Sequence, residues 1–239
     1  MTEVLPAIIP ESYEDLVYKM SLVKGIVKAV QVDICDGRFV PSKSWPYVGD
    51  DENHFDKIVH NEEEGFPLWE NMDFEADLMV EMTRDIAENW IKAGAKAIIL
   101  HIESSDDMLG IVKEIRKNHG YSDESVGIEI GIAINIDTPN EVLYEFFEPN
   151  TEDRTLADFV QFMGIKKIGY QGQEFDALVL DKISAFRKKY LNIKIAVDGG
   201  VNFDTYKYLI GAGANKLVSG SAIYESENIA EAIKLMQGA

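Results

Sequence analysis

The chain has 239 residues, 46% of them hydrophobic and 27% charged, with 18 glycines and 7 prolines, which excludes collagenous, low-complexity and largely disordered chains. Its 23 basic and 42 acidic residues give a formal charge of −19, which repels nucleic acid and anionic lipid, so neither is an expected partner. The apolar runs are far shorter than the roughly 20 residues of a membrane span, residues 1–10 lack the marks of a signal peptide, and Cys35 is the only cysteine, so a cytoplasmic protein without disulfides is expected.

Short β-like runs alternate with longer amphipathic stretches eight times along the chain. The first run, 4–9, precedes a helical stretch at 12–24 that opens at Ser12, with Asp15 three residues on. The second run, 27–34, is followed by a long polar insertion at about 42–71 containing Trp45, Tyr47, Glu62–Glu64 and Trp69. That segment reads equally well as a lid over a substrate and as an ornamented second helix. Next come a run at 72–79, a helix at 83–93 ended by Gly94, a run at 96–102 and a helix at 105–118 ended by Gly120. The run at 127–134 leads through Thr138–Pro139 into a helix at 139–147, then an exposed acidic connection at 148–156. Runs at 157–163, 193–198 and 215–219 complete the set, with helices at 175–190 and 203–212, Gly213 closing the latter, and a short helix from Ser221.

Strand–helix alternation throughout implies parallel strands joined by crossover helices, and eight units in this length predict a single-domain α/β fold, a (β/α)8 TIM barrel over 1–239. The rival, a doubly wound open sheet, needs a glycine-rich turn after its first strand, and residues 6–13 contain no glycine.

In such a barrel the carboxyl ends of the strands carry the chemistry. Asp33, Asp36, Asp77 and Asp198 all fall there, from three strands. Carboxylates aimed into a barrel mouth are costly unless paired, hydrogen-bonded or bound to a cation, so their concentration marks a site. Three glycine turns follow late strands, at 169–173, 198–200 and 219–221, where barrels hold phosphate on backbone N–H groups. With so acidic a chain, a phosphate has to be held by such local donors.

These residues resemble the ribulose-phosphate 3-epimerase family over nearly the whole chain outside about 42–71. The matching pieces are Val32-Asp-Ile-Cys-Asp-Gly-Arg-Phe-Val-Pro41, Asp77-Leu-Met-Val80, His101-Ile-Glu103, and Gly131-Ile-Ala-Ile-Asn135 with Thr138-Pro139. Gly172-Gln173, Val197-Asp-Gly-Gly-Val201 and Gly213-Ala-Asn-Lys-Leu-Val-Ser-Gly-Ser221 follow in the same order. The resemblance implies interconversion of D-ribulose 5-phosphate and D-xylulose 5-phosphate in carbohydrate metabolism by proton transfer at C3, with Asp33 and Asp198 as the acid/base pair and a metal-stabilised enediolate. It implies Gly172, Gln173, Gly199, Gly200, Gly220 and Ser221 at the substrate phosphate, Met79 and Met163 beside the reaction centre, and a homo-oligomer.

The departures bear on the metal. Gln31 and Asp77 stand where the family carries its two histidine ligands, so the implied set is Gln31, Asp33, Asp77 and Asp198. Oxygen donors alone favour Mg²⁺ or Mn²⁺ over Zn²⁺. Ala7 stands for a serine beside the substrate, Cys35 for a methionine, and Lys166-Lys167-Ile168 for a proline-containing turn. An epimerase of another ketose phosphate, such as a hexulose 6-phosphate, and a non-catalytic sugar-phosphate-binding protein are the alternatives. A related decarboxylase and aldolase group expects a lysine where Cys35 stands. Acidic neighbours argue against Cys35 as a nucleophile, Asp36-Gly37 reads as a turn, and His54, His60 and His119 read as surface histidines. His101 and Glu103 point inward if β alternation runs from Leu100, in position to orient the site.

Overall fold

The computed structural model describes residues 2–49, 52–60, 65–124, 127–151 and 153–238. Eight parallel strands close into a barrel in chain order: β1 (Glu3–Ile8), β2 (Ala29–Cys35), β3 (Asp73–Met79), β4 (Ala97–His101), β5 (Glu129–Ile134), β6 (Phe159–Met163), β7 (Lys194–Asp198) and β8 (Lys216–Ser219), which pairs back onto β1. Each expected run carries a strand, and the fold is the (β/α)8 barrel. Around it lie α1 (Tyr13–Val23), α2 (Glu52–His60), α3 (Arg84–Lys92), α4 (Met108–His119), α5 (Tyr144–Phe147), α6 (Leu178–Lys189), α7 (Tyr206–Ala212), α8 (Ser221–Tyr224) and α9 (Ile229–Met236).

The helix boundaries follow their caps. Ser12 Oγ accepts from the Asp15 N–H at 3.2 Å, and Thr83 Oγ1 accepts from that of Ile86 at 3.4 Å. α7 ends at Gly213, whose φ of 120° an L side chain resists. The helix expected over 139–147 is instead a 3₁₀ turn, Asn140–Leu143, running into the single turn of α5. Pro139 at the cap offers no side-chain acceptor to the first turn, and the Val142 N–H bonds back three residues to the Pro139 carbonyl.

Alternation along the strands divides the protein into an outer and an inner core. Val30, Val32 and Ile34 of β2, Phe74, Ala76 and Leu78 of β3, and Ile195 and Val197 of β7 face outward into the apolar layer under the helices. The other phase faces the barrel axis, where Ala97, Ile99, Ala133, Phe159 and Ala196 form a separate cluster. The same phase carries Gln31 and Asp33, Glu75 and Asp77, His101, Gln161 and Asp198, so the barrel interior contains a polar layer.

The described part of the insertion forms the crossover between β2 and β3. Phe55 of α2 lies 4.3 Å from the Trp90 ring of α3, Trp45 packs edge-on to both, and Phe66 stacks on Phe74 at 3.6 Å. Trp45 and Trp90 are fully buried in this outer wall. Glu62–Glu64 lie outside the described residues.

Toward the amino ends of the strands, Lys216 of β8 and Glu75 of β3 meet in an ion pair with almost no solvent access, the ammonium also lying 4.6 Å from the Phe159 ring. Glu75→Leu is expected to cost about 3–5 kcal/mol in urea unfolding, because it strands the Lys216 charge. Adding Lys216→Met to that variant is expected to return the unfolding midpoint to the parent's value or above.

Candidate active site

Parallel register builds the site. Asp33 lies directly opposite Asp77 on the neighbouring strand, Met163 lies opposite Asp198, and Gln31 lies on the same face as Asp33, two residues earlier. The Gln31 Nε2 donates at 2.9 Å to Asp33 Oδ1, at 2.9 Å to Asp198 Oδ2 and at 3.4 Å to Asp77 Oδ2. One amide nitrogen has two hydrogens for these three carboxylates, so it cannot satisfy them all at once. Asp77 has two further partners: Gln161 Nε2 donates to Oδ2 at 3.1 Å, and His101 Nε2 to Oδ1 at 3.0 Å. Gln31, Asp77, His101 and Gln161 have no solvent exposure.

Burial is the main reason that the Asp33 and Asp198 carboxyls titrate above the usual carboxylate range. The Asp33 carboxyl is pushed well above the usual carboxylate range by burial, then by the charges of Asp198 and Asp77. Asp198 is raised to about 7 by burial and then Asp77, against the Gln31 hydrogen bond, the Gly199 N–H and the His101 charge. His101 titrates above the ordinary imidazole value, since Asp77, Glu103 and Asp198 outweigh the downward push of burial. The buried Cys35 thiol is pushed up to about 12, chiefly by desolvation, which makes it a poor nucleophile at neutral pH.

A cavity of about 180 Å³ opens above these groups at the carboxyl ends of the strands. It brings together ten of the twelve residues singled out from the sequence: Asp33, Asp198, Met79, Met163, Gly172, Gln173, Gly199, Gly200, Gly220 and Ser221. The other two, Gln31 and Asp77, are fully buried and join the cluster through the hydrogen bonds above. Gly199 and Gly200 take φ values of 88° and 69°, and a Cβ on Gly200 would meet the Phe175 backbone at 2.9 Å, so this turn requires glycine. Ala7 also lines the cavity, and the Gln171 Nε2 reaches its carbonyl at 3.3 Å. Lys166 pairs with Asp176 at 3.5 Å and Lys167 lies over the Tyr170 ring; neither lines the cavity.

Asp36 holds its turn, Oδ1 accepting from the N–H groups of Arg38 and Phe39 and Oδ2 from that of Glu81. Glu103 accepts from the Asn135 N–H at 2.8 Å, and His119 meets Glu88 at 2.7 Å. The residues missed by sequence reasoning are Gln161 and Gln171. Gln161 stands two positions before Met163 on the inward phase of β6, a placement that strict alternation does expose.

The cluster suits a hard cation. Asp33, Asp77 and Asp198 each offer an oxygen within 4.8 Å of the others, and Gln31 Oε1 is buried beside them without a partner. A donor set of carboxylates and an amide oxygen matches Mg²⁺ or Mn²⁺ better than Zn²⁺. The raised Asp198 value means that the folded, cation-free protein holds an extra proton between roughly pH 4 and pH 7 relative to the unfolded chain. Stability from this group is therefore complete in acid and is lost as pH rises through about 7. In chelator, thermal unfolding of the parent is expected to fall from pH 5 to pH 8 more steeply than that of Asp198→Asn. Added Mn²⁺ should raise the midpoint more at the higher pH.

A family model described as the ribulose-phosphate 3 epimerase family matches residues 3–224. The ribulose-phosphate 3-epimerase of Bacillus subtilis is 29% identical over 244 residues, with 100% of this chain and 99% of the relative covered. That of Mycobacterium tuberculosis (strain H37Rv) is 26% identical, covering 98% and 91%. Among solved structures, KGPDC from Streptococcus mutans matches with a TM-score of 0.68 at 14% identity, covering 99% and 96%. The 3-hexulose-6-phosphate synthase from Salmonella typhimurium matches at 0.62 and 15%, covering 100% and 97%. At these identities the structural likeness concerns the barrel alone.

Proposed function

We propose that this chain, which belongs to the ribulose-phosphate 3 epimerase family, interconverts D-ribulose 5-phosphate and D-xylulose 5-phosphate with Asp33 and Asp198 as its acid/base pair. The observation that carries this reading is a pair of carboxyls from non-adjacent strands that share one cavity and both titrate above the usual carboxylate range. Inverting a carbon beside a ketone needs one ionised carboxylate and one protonated carboxylic acid at the same time. Mutual repulsion in a buried cluster arranges this, because the second ionisation is opposed by the first.

In the forward direction the ionised aspartate takes the proton from C3, and the electron pair of the C–H bond moves toward the C2 carbonyl. The protonated aspartate then returns a proton to C3 from the other face. The reverse reaction uses the same two groups with their roles exchanged. When bound by Asp33, Asp77, Asp198 and Gln31, a divalent cation supplies positive charge against the negative charge that develops on the substrate oxygens.

The phosphate belongs at the glycine-rich end, where Gly172, Gln173, Gly199, Gly200, Gly220 and Ser221 line the same cavity. Among the described residues no lysine or arginine lines it, so backbone N–H groups and neutral side chains do the holding. Met79 and Met163 pack with Cys35, Val40, Ile165 and Ile168 into an apolar rim around the reaction centre. That rim limits water access to the intermediate and keeps the local dielectric low.

The test is turnover of D-ribulose 5-phosphate in chelator and after return of Mg²⁺, Mn²⁺ or Zn²⁺, with incorporation of solvent deuterium at C3 as a second readout. Asp33→Asn and Asp198→Asn are each expected to lower kcat by about 10²–10⁴-fold in a folded protein. Neither epimerisation nor exchange with any metal would overturn the pentulose reading, and activity on a hexulose 6-phosphate alone would reassign the substrate.

A further inference from the structure

We infer that His101 and Gln161 are positioning residues that fix the Asp77 carboxyl by both of its oxygens, leaving proton transfer to Asp33 and Asp198. This rests on the epimerase reading above and assigns the third carboxylate of the cluster a different task from the other two.

The distinction lies in how each carboxylate is occupied. Asp77 receives side-chain donors on both oxygens, from His101 at 3.0 Å on Oδ1 and from Gln161 at 3.1 Å and Gln31 at 3.4 Å on Oδ2. Among the described residues, Asp33 and Asp198 each receive a single side-chain donor, the shared Gln31 amide. Asp33 and Asp198 line the cavity; Asp77 does not. A carboxylate whose oxygens are both engaged, away from the substrate space, is poorly placed to collect a proton from carbon. It remains well placed to aim one oxygen at the cluster.

His101 and Gln161 give up hydrogen bonds of their own in this arrangement. His101 Nδ1 and Gln161 Oε1 are both buried without a partner, while the opposite end of each side chain is bonded to Asp77. A side chain kept only for packing has no reason to leave a polar atom stranded, and such atoms are costly. The donors arrive from β4 and β6, two different strands of the barrel, and Phe39 covers the His101 ring at 5.5 Å. Asp77 is thereby fixed at both oxygens, as outer-shell partners fix a metal-binding carboxylate.

The test uses the full chain with His101→Phe, His101→Gln and Gln161→Leu. Mn²⁺ affinity is read by calorimetry, kcat and KM on D-ribulose 5-phosphate, and folding by thermal unfolding. His101→Phe and Gln161→Leu are expected to weaken Mn²⁺ binding and lower kcat by about 10–100-fold, with KM little changed. His101→Gln, which keeps a donor near the Nε2 position, is expected to stay within about threefold of the parent on both readouts. Parent-like affinity and kcat in Gln161→Leu and His101→Phe would overturn the inference, as would a folded His101→Gln as impaired as His101→Phe. Should His101→Phe not fold, Gln161→Leu and His101→Gln decide. A parent that turns over without binding Mn²⁺ leaves the kcat comparison to decide. A parent that neither binds nor turns over removes the epimerase reading and this inference with it.

Discussion

Three carboxylates facing one amide nitrogen set the terms for the whole barrel mouth. Asp33, Asp77 and Asp198 bring oxygens within 4.8 Å of one another in a region with almost no solvent. Their charges cannot coexist there without a proton or a cation, because low-dielectric surroundings magnify repulsion. The surroundings are low-dielectric by construction. Ala97, Ile99, Ala133, Phe159 and Ala196 fill the barrel interior as one apolar cluster, and Cys35, Met79 and Met163 belong to another at the mouth. The polar layer is thus set among apolar packing, and the raised Asp33 and Asp198 carboxyls follow from that placement.

Those carboxylates are legible in the sequence because a strand has a period of two and a barrel has a known functional end. Once β2 and β3 are placed, Asp33 and Asp77 fall near their carboxyl ends, and the observed register sets them side by side. Gln161 is not legible in the same way. An uncharged amide inside an apolar run carries no signal until the strand's phase is fixed, and its partner Asp77 lies 84 residues away. The Glu75–Lys216 pair joins positions 141 residues apart, and Lys216 at the first position of its strand reads as an ordinary flanking charge. The helix expected at 139–147 fails for a local reason, since periodicity alone does not separate α from 3₁₀ winding behind a proline cap. For the insertion, composition leaves two readings open. Its aromatic partners, Trp90 of α3 and Phe74 of β3, show where its described residues pack.

The glycine-rich end of the cavity complements the acidic end by different means. The turn at Gly199 and Gly200 there has a backbone that favours glycine, and neither Lys166 nor Lys167 lines the cavity. On the reading proposed above, a phosphate dianion settled at that end would be held by short-range dipoles, which the distant surface charge scarcely alters once water is excluded. Recognition and overall electrostatics are therefore separable in this protein: one is decided within hydrogen-bond range, the other over the Debye length.

That separation would govern how a phosphorylated substrate arrives. A phosphorylated sugar approaching a body of formal charge −19 climbs a repulsive potential before it meets any favourable contact. Dissolved ions shrink the reach of that potential from about 30 Å at 0.01 M to about 8 Å at physiological strength. Enzymes that steer charged metabolites by attraction lose encounter rate as salt rises, because salt weakens the steering. For a phosphorylated substrate, the surrounding electrolyte would instead ease the approach, so salt would help rather than hinder entry to this cavity.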